Sequence, residues 1–230
     1  MLTLPVREVL PATPRARVLR LDLLGRSFPY EPGQAISVAG HGAEARWPYS
    51  IAAAPEDAAR DGWIELLVGV DASGQTGHRL PLEPGALVDV EGPSGTFTFP
   101  AQPAEHRFLF IAGGTGIAPL RAMLRHALLV PHAAIGLVYS ARTSDDFAYE
   151  SELRRLADDK RIELRLTVTR DAAPDWAGSR GRITRADLEP LVHGPETLCF
   201  ICGPRTLVDE MPAHLEALGV PRHRIKIEEW

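Results

Sequence analysis

The chain has 230 residues, enough for one large domain or two small ones. Hydrophobic residues make up 45% of it and charged residues 24%, the balance of a globular chain, which excludes disordered and collagen-like structure. With 25 basic side chains against 30 acidic ones, the net charge is −5, the wrong sign for a nucleic-acid partner.

The start, residues 1–8, carries neither a basic head nor a long apolar stretch, and no run reaches the ~18 apolar residues that span a bilayer. The expectation is a cytoplasmic protein with no export signal and no membrane partner. Residues 17–24, 35–38, 63–70 and 86–90 carry strand-type apolar runs, bounded by Pro32-Gly33, Asp71 to Gly74 and Pro84-Gly85. Helical periodicity is nearly absent, so residues 1–101 are expected to form a small antiparallel β-barrel. Residues 98–106 hold two prolines and no pattern, and the domain boundary is placed there.

From Arg107 the pattern changes. Residues 108–112 are continuously apolar, as in a strand buried on both faces. Ile117, Leu120, Met123, Leu124, Ala127 and Leu128 then recur at helical spacing. Strands are predicted at 134–139, 163–169, 198–202 and 225–227, with helices near 147–157, 185–191 and 205–218. Pro212 should kink the last helix or restart it. The alternation makes residues 102–230 a second domain of the α/β class with a parallel sheet. The only cysteines, Cys199 and Cys202, are spaced C-x-x-C. Two cysteines are too few for a zinc or iron–sulfur site, so no metal is expected. Cys199 reads as a buried strand residue, whereas Cys202 stands at the strand's end.

Gly113-Gly114-Thr115-Gly116-Ile117-Ala118-Pro119 joins the first strand of the second half to its helix. Glycines let backbone approach a pyrophosphate closely, and free N–H groups at a helix N-terminus supply donors. Pro119 suits a first helical turn, where its missing N–H costs nothing. This context points to a dinucleotide phosphate site.

That stretch, the earlier Pro48-Tyr49-Ser50-Ile51-Ala52, Gly92-Pro93-Ser94-Gly95 and the late Cys202-Gly203-Pro204 occur in the order found in the ferredoxin–NADP reductase family. The sequence resembles a two-domain member across essentially its whole length. The resemblance implies a flavin-binding barrel followed by an NAD(P)-binding α/β domain, with no attached ferredoxin domain. FAD is the implied cofactor, with FMN as the alternative.

In this family an Arg-x-Tyr-Ser segment holds the flavin, and Tyr49, Ser50 and Ile51 match its end. The arginine's place is taken by Trp47, and Arg46 comes one residue early, so it reaches the flavin phosphate only across a bulge. A Gly-x-x-Ser element is matched by Gly74-Gln75-Thr76-Gly77, with Thr76 offering the hydroxyl. Arg46 or Arg79 is expected to neutralise the phosphate. By the same resemblance Gly113, Gly114, Thr115, Gly116 and Pro119 bind NAD(P), and Cys202, Gly203 and Pro204 lie by the nicotinamide. Ser50 and Glu228 assist proton and hydride transfer, and Trp230 stacks on the flavin. Arg142, Arg170 and Arg182 resemble the 2′-phosphate clamp of NADPH-using members, and Arg182 tilts the choice from NADH to NADPH.

The implied reaction passes hydride from the nicotinamide to flavin N5, and electrons then leave to a separate acceptor. A ferredoxin or flavodoxin is the first expectation. Such partners are usually acidic, and residues 1–105 carry 8 basic and 13 acidic side chains, which slows encounter between like charges. The alternatives are a small-molecule acceptor, as in a reductase of free flavin or ferric chelates, and a flavin-bearing sensor or electron-transfer subunit without turnover.

Overall fold

Antiparallel pairing organises the first half of the chain and parallel pairing the second. A computed structural model describes residues 1–77, 80–171 and 173–229. Strands β1 (Leu2–Thr13), β2 (Ala16–Asp22), β3 (Ala35–Gly40), β4 (Trp47–Ser50), β5 (Trp63–Gly69) and β6 (Leu87–Ser94) form one sheet in the order β4-β3-β6-β1-β2-β5. The chain just past β4 closes that sheet into a barrel. Ile51 bridges Leu66, and the Ala52 N–H donates to the Glu65 carbonyl at 2.7 Å. Closure removes the edges that would otherwise expose unpaired backbone. Inward positions such as Leu4, Leu19, Leu21, Ile36, Ile64 and Val88 are fully buried and fill the interior.

Two elements of this half escape the periodicity argument. β1 contains Pro5 and Pro11, which read as breakers. It pairs with β6 over residues 2–5 and with β2 over residues 6–13. Each proline therefore sits where β1 has one neighbour, and its missing N–H is spared. Helix α1 (Pro55–Asp61) is too short for a period to register, but its ends are well marked. Proline opens it, Glu56 and Asp57 stand in its first turn, and Gly62 closes it at φ 75°.

The second sheet contains β7 (Arg107–Gly113), β8 (Ala134–Ala141), β9 (Glu163–Val168), β10 (Ser179–Arg180), β11 (Leu198–Gly203) and β12 (Ile225–Glu229). All its pairs are parallel, in the order β10-β9-β8-β7-β11-β12. Helices α2 (Ile117–Ala127), α3 (Glu150–Asp158), α4 (Arg185–Leu188) and α5 (Arg205–Ala217) connect the strands. The helix expected from residue 147 starts only at Glu150, because Tyr149 adopts a left-handed φ of 62°. α5 continues through Pro212, whose buried ring costs the helix one hydrogen bond and not its continuity. Among the described residues, no helix is long and apolar enough to cross a membrane.

The segment between β6 and β7 is a plug. Phe97 and Phe99 are buried, and the Phe99 ring lies 4.9 Å from Phe108 and 5.4 Å from Phe200. They join Ala16, Val18, Ala52 and Leu67 of the barrel to the sheet's core in one apolar cluster. Gly33 lies against this plug at φ 102°, where a Cβ would come within 2.3 Å of the Phe97 carbonyl oxygen. Only glycine meets both demands.

Candidate functional site

In the second sheet, β8 and β9 lie on one side of β7 and β11 and β12 on the other. That reversal opens a crevice at the carboxyl ends of β7 and β11, where ligands of such sheets bind. The two strand ends are Gly113 and Gly203. A Cβ on Gly203 would lie 3.1 Å from the Gly113 backbone, and one on Gly113 would lie 2.8 Å from Pro204 Cδ. Close approach demands these two glycines. The turn from Gly114 to Gly116 then leads into α2. Buried Tyr139 braces it, donating to the Gly114 carbonyl at 3.0 Å while accepting the Ala148 N–H at 3.2 Å.

A cleft of about 280 Å³ lies between barrel and sheet, walled by Tyr49 and Ser50 on one side and Thr115, Gly116, Pro119 and Cys202 on the other. Segments some 150 residues apart in sequence thus meet in one place. The hydroxyls of Tyr49, Ser50 and Thr115 make no hydrogen bond to the protein among the described residues. Burial pushes the Tyr49 phenol up, so it stays a donor at neutral pH. Cys202 and Glu228 are register partners on β11 and β12, and the Cys202 Sγ lies 4.0 Å from Glu228 Oε2. Burial raises the Glu228 carboxyl, which therefore holds a proton more readily than an exposed glutamate.

Burial raises both thiols: Cys199 is pushed up to about 12, and Cys202 is raised by burial and then by the Glu228 charge. Three residues apart on one strand, the two point to opposite faces of the sheet and lie in different cores. They cannot pair. Because the thiolate is the nucleophile, iodoacetamide at pH 8 is expected to leave both unmodified in the native protein and to label both in denaturant. Mass spectrometry reads the result, and rapid native labelling would contradict the burial argument.

Of the residues expected at the flavin phosphate, Gly77 lines the cleft, whereas Arg46 and Thr76 do not. Pairing of β3 with β4 is regular from Ala35 with Ser50 to Val38 with Trp47 and ends there, so Arg46 stands just outside the strand. Trp47 and Tyr49 share a face of β4, and Arg46, which does not line the cleft, donates to Met1 Sδ at 3.0 Å. Thr76 is buried, and its hydroxyl accepts the Leu80 N–H at 2.7 Å. Asp71 accepts the N–H groups of Ser73 and Gln75, which closes the turn containing Gly74 on itself. Ile51 is buried in the barrel core behind the cleft. Arg79 and Trp230 lie outside the described residues.

The three arginines do converge. Arg142, Arg170 and Arg182 wall a second cavity of about 420 Å³ with Gly113, Gly114 and Pro204. The Arg170 N–H donates to the Arg142 carbonyl at 2.9 Å, tying the segments after β8 and β9 together. Arg182 donates to Glu210 Oε1 at 2.8 Å in an exposed pair.

Sequence reasoning missed a buried ionic network behind the cleft. Arg121 of α2 donates to the Ala52 carbonyl at 2.8 Å and to Glu65 Oε1 and Glu152 Oε2 at 2.9 Å each. Its guanidinium lies 4.2 Å over the Tyr149 ring. Arg125, one turn on, pairs with Asp57 and Glu152. The signal was present: Arg121 stands four residues after Ile117, on the apolar face of its helix.

A closed antiparallel barrel against a parallel sheet, with a glycine-walled crevice at the switch point, defines a two-lobed nucleotide-dependent oxidoreductase. The family described as oxidoreductase NAD-binding domain matches residues 110–212. Ferredoxin–NADP reductase B of Sorangium cellulosum is 34% identical over 235 residues, which cover 96% of this chain and 94% of that protein. An Amycolatopsis cytochrome P450 reductase superposes with a TM-score of 0.85 at 26% identity, over 99% of this chain and 68% of its own. The FAD/NAD-binding domain of nitric oxide dioxygenase from Vibrio cholerae shares the fold, with a TM-score of 0.83 at 20% identity over 99% and 98% of the two chains. The chain belongs to the ferredoxin–NADP reductase family and is an NAD(P)H-dependent flavoprotein reductase.

Proposed function

We propose that this chain binds FAD at the cleft, takes reducing equivalents from NADPH and passes electrons to a separate redox protein. One observation carries the reading: Tyr49 and Ser50 line one wall of a cleft at the sheet's switch point and Thr115 and Cys202 the other, with the three hydroxyls unengaged. That donor set fits the polar edge and flat face of an isoalloxazine. Tyr49, Ser50 and Ile51 would hold the ring end, whereas Arg46 and Thr76 do not line the cleft and are not assigned to its phosphates. On this reading the lobes divide after residue 101, within the connector that Phe97 and Phe99 anchor.

A bound flavin supplies the exchange between two-electron and one-electron chemistry. The chain's own residues orient, exclude water and manage charge. Tyr49 offers a ring backed by the barrel core, and Ser50 offers a hydroxyl beside it. Glu228 keeps a proton available next to Cys202, whose strand end sets the cleft's far wall. Leu67, Ala118 and Pro119 give the cleft an apolar lining that limits water there. Fixing two rings in such a site contributes chiefly orientation, up to about 7–11 kcal/mol in ideal cases.

NADPH is favoured because three arginines share one cavity and the end of β8 reads Ser140-Ala141-Arg142, with no acid for a ribose hydroxyl. The exposed Arg182–Glu210 pair is weak enough to yield to a phosphate. Arg182→Ala should raise the KM for NADPH about 10–100-fold, the ~1.5–3 kcal/mol of a charged hydrogen bond. The KM for NADH should move less than about twofold on the same reasoning. Equal changes with both coenzymes would remove Arg182 from the selection.

The acceptor reading rests on the relatives, one named a ferredoxin–NADP reductase and another a cytochrome P450 reductase. The test is to purify the protein, extract its cofactor, titrate it anaerobically with NADPH and NADH, and assay ferredoxin, flavodoxin, cytochrome and free flavin as acceptors. A yellow protein that releases FAD, bleaches with NADPH and reduces a redox protein faster than free flavin is expected. Turnover with free flavin alone would make it a free-flavin reductase, and failure to bleach would make it a sensor. A protein that stays colourless with added FAD would end the proposal.

A further inference from the structure

Between the cleft and the arginine cavity lies a third cavity of about 230 Å³. It shares Leu67, Gly69 and Thr115 with the cleft, and Gly114, Ala141 and Arg142 with the arginine cavity. The three form one trench along the lobe junction. On one side of its middle section is the glycine turn that opens α2. On the other is the hairpin between β1 and β2, with Thr13, Arg15 and Ala16. Among the described lining residues of the whole trench, Arg15 is the one charged side chain that the barrel supplies.

Arg15 is held loosely. Its guanidinium is about half exposed and stands 3.6 Å from Asp146 Oδ2, well beyond the 2.7–2.9 Å of a charge-assisted hydrogen bond. Asp146 already accepts the Thr143 hydroxyl at 3.0 Å on that same oxygen. The hairpin backbone, by contrast, is fixed. Arg17 donates to the Thr13 and Ala16 carbonyls at 2.9 Å each, and the Arg15 N–H donates to Thr13 Oγ1 at 3.1 Å. A rigid turn therefore presents a cation that is free to change partners.

A dinucleotide with its ring end in the cleft and its adenosine end among the arginines must run its pyrophosphate through this middle section. The walls there include Ala16, Leu67, Tyr139 and Ala148, and two phosphate charges placed beside them require countercharge. The glycine turn supplies backbone N–H groups from one lobe. We propose that Arg15 supplies the cation from the other lobe, exchanging Asp146 for the pyrophosphate of the pyridine dinucleotide. Nucleotide binding then draws the barrel hairpin and the α/β lobe together. The inference rests on the nucleotide reading of the trench given above.

Calorimetric titration of the flavin-loaded protein with ADP-ribose, which carries the pyrophosphate but no nicotinamide, tests it without turnover. 2′-AMP, which lacks the pyrophosphate, is the second probe. Arg15→Ala should weaken ADP-ribose about 10–100-fold and leave 2′-AMP within about twofold on the same reasoning. Arg15→Lys should recover part of the loss, and Asp146→Asn should tighten ADP-ribose by removing the competitor. The exposed pair contributes little to folding, so the melting temperature of Arg15→Ala should stay at the parent value. Unchanged ADP-ribose affinity in Arg15→Ala, or an equal loss for 2′-AMP, would overturn the proposal while bleaching by NADPH leaves the enzymatic reading standing. Failure of the parent protein both to bind ADP-ribose and to bleach with NADPH would overturn both.

Discussion

Arg121→Met is expected to lower the unfolding free energy by about 3–5 kcal/mol, because two buried carboxylates each lose a charged partner, Glu65 keeping only Arg20 and Glu152 only Arg125. Arg121 is 9% exposed and Glu65 1%. The loss spans both lobes, because Arg121 ties α2 to the Ala52 carbonyl next to the barrel's closing bridge. Urea melts at pH 7 measure it. Adding Glu65→Gln to Arg121→Met should restore part of the stability, since a neutral amide is less costly to bury than a carboxylate that has lost one of its two cations. A loss below about 1 kcal/mol would show that the network contributes no more than a surface pair.

The same network sets the acid limit. Burial alone would raise the Glu152 and Asp57 carboxyls, but Arg121 and Arg125 at Glu152, and Arg125 and Arg60 at Asp57, outweigh it and hold both below the usual carboxylate range. Folded-state values lower than unfolded ones add stability that is complete above about pH 5 and disappears as pH falls through the depressed values, below about pH 4. Parent protein should therefore lose stability steeply in that window, and Arg121→Met should show a shallower slope.

Gly203→Ala is the second large expected effect. The added methyl would lie 2.7 Å from Leu207 Cδ2, which can swing aside, and 3.1 Å from the Gly113 backbone, which cannot. Relief requires β7 and β11 to part at the end where nucleotide and cleft meet. The expected cost is about 1–3 kcal/mol of stability for overpacking. Displacement of the cleft wall by even ~1 Å should slow reduction by NADPH about 10²-fold, read by stopped-flow absorbance. Gly40→Ala is the control, because its Cβ would meet nothing nearer than Pro81 at an ordinary 3.6 Å. Equal behaviour of the two variants would refute the close-approach argument.

Much of the molecule was legible in its residues. The switch from strand alternation to a strand–helix alternation near residue 107 is written in apolar spacing, which local backbone geometry translates into an element type. The continuous run before Gly113 announced a strand buried on both faces, and the glycines after it announced a helix N-terminus open to phosphate. These properties depend on residues a few positions apart, so one sequence suffices to read them. β1 and α1 were lost for the complementary reason: prolines mimic breaks where a strand has one neighbour, and seven residues are too few for a helical period.

What lay beyond the sequence was which residues share a space. The strand order puts Gly203 against Gly113 and Cys202 beside Glu228. β4 begins only at Trp47, so Arg46 lies outside its register, and a loop hydrogen bond takes the Thr76 hydroxyl. Docking of the lobes buries Arg121 between two carboxylates, Glu65 of β5 and Glu152 of α3, and carries Arg15 across to Asp146. Register, strand order and lobe docking are sums of many weak contacts between distant parts of the chain. No single segment encodes them, so only the folded molecule could assign these side chains their partners.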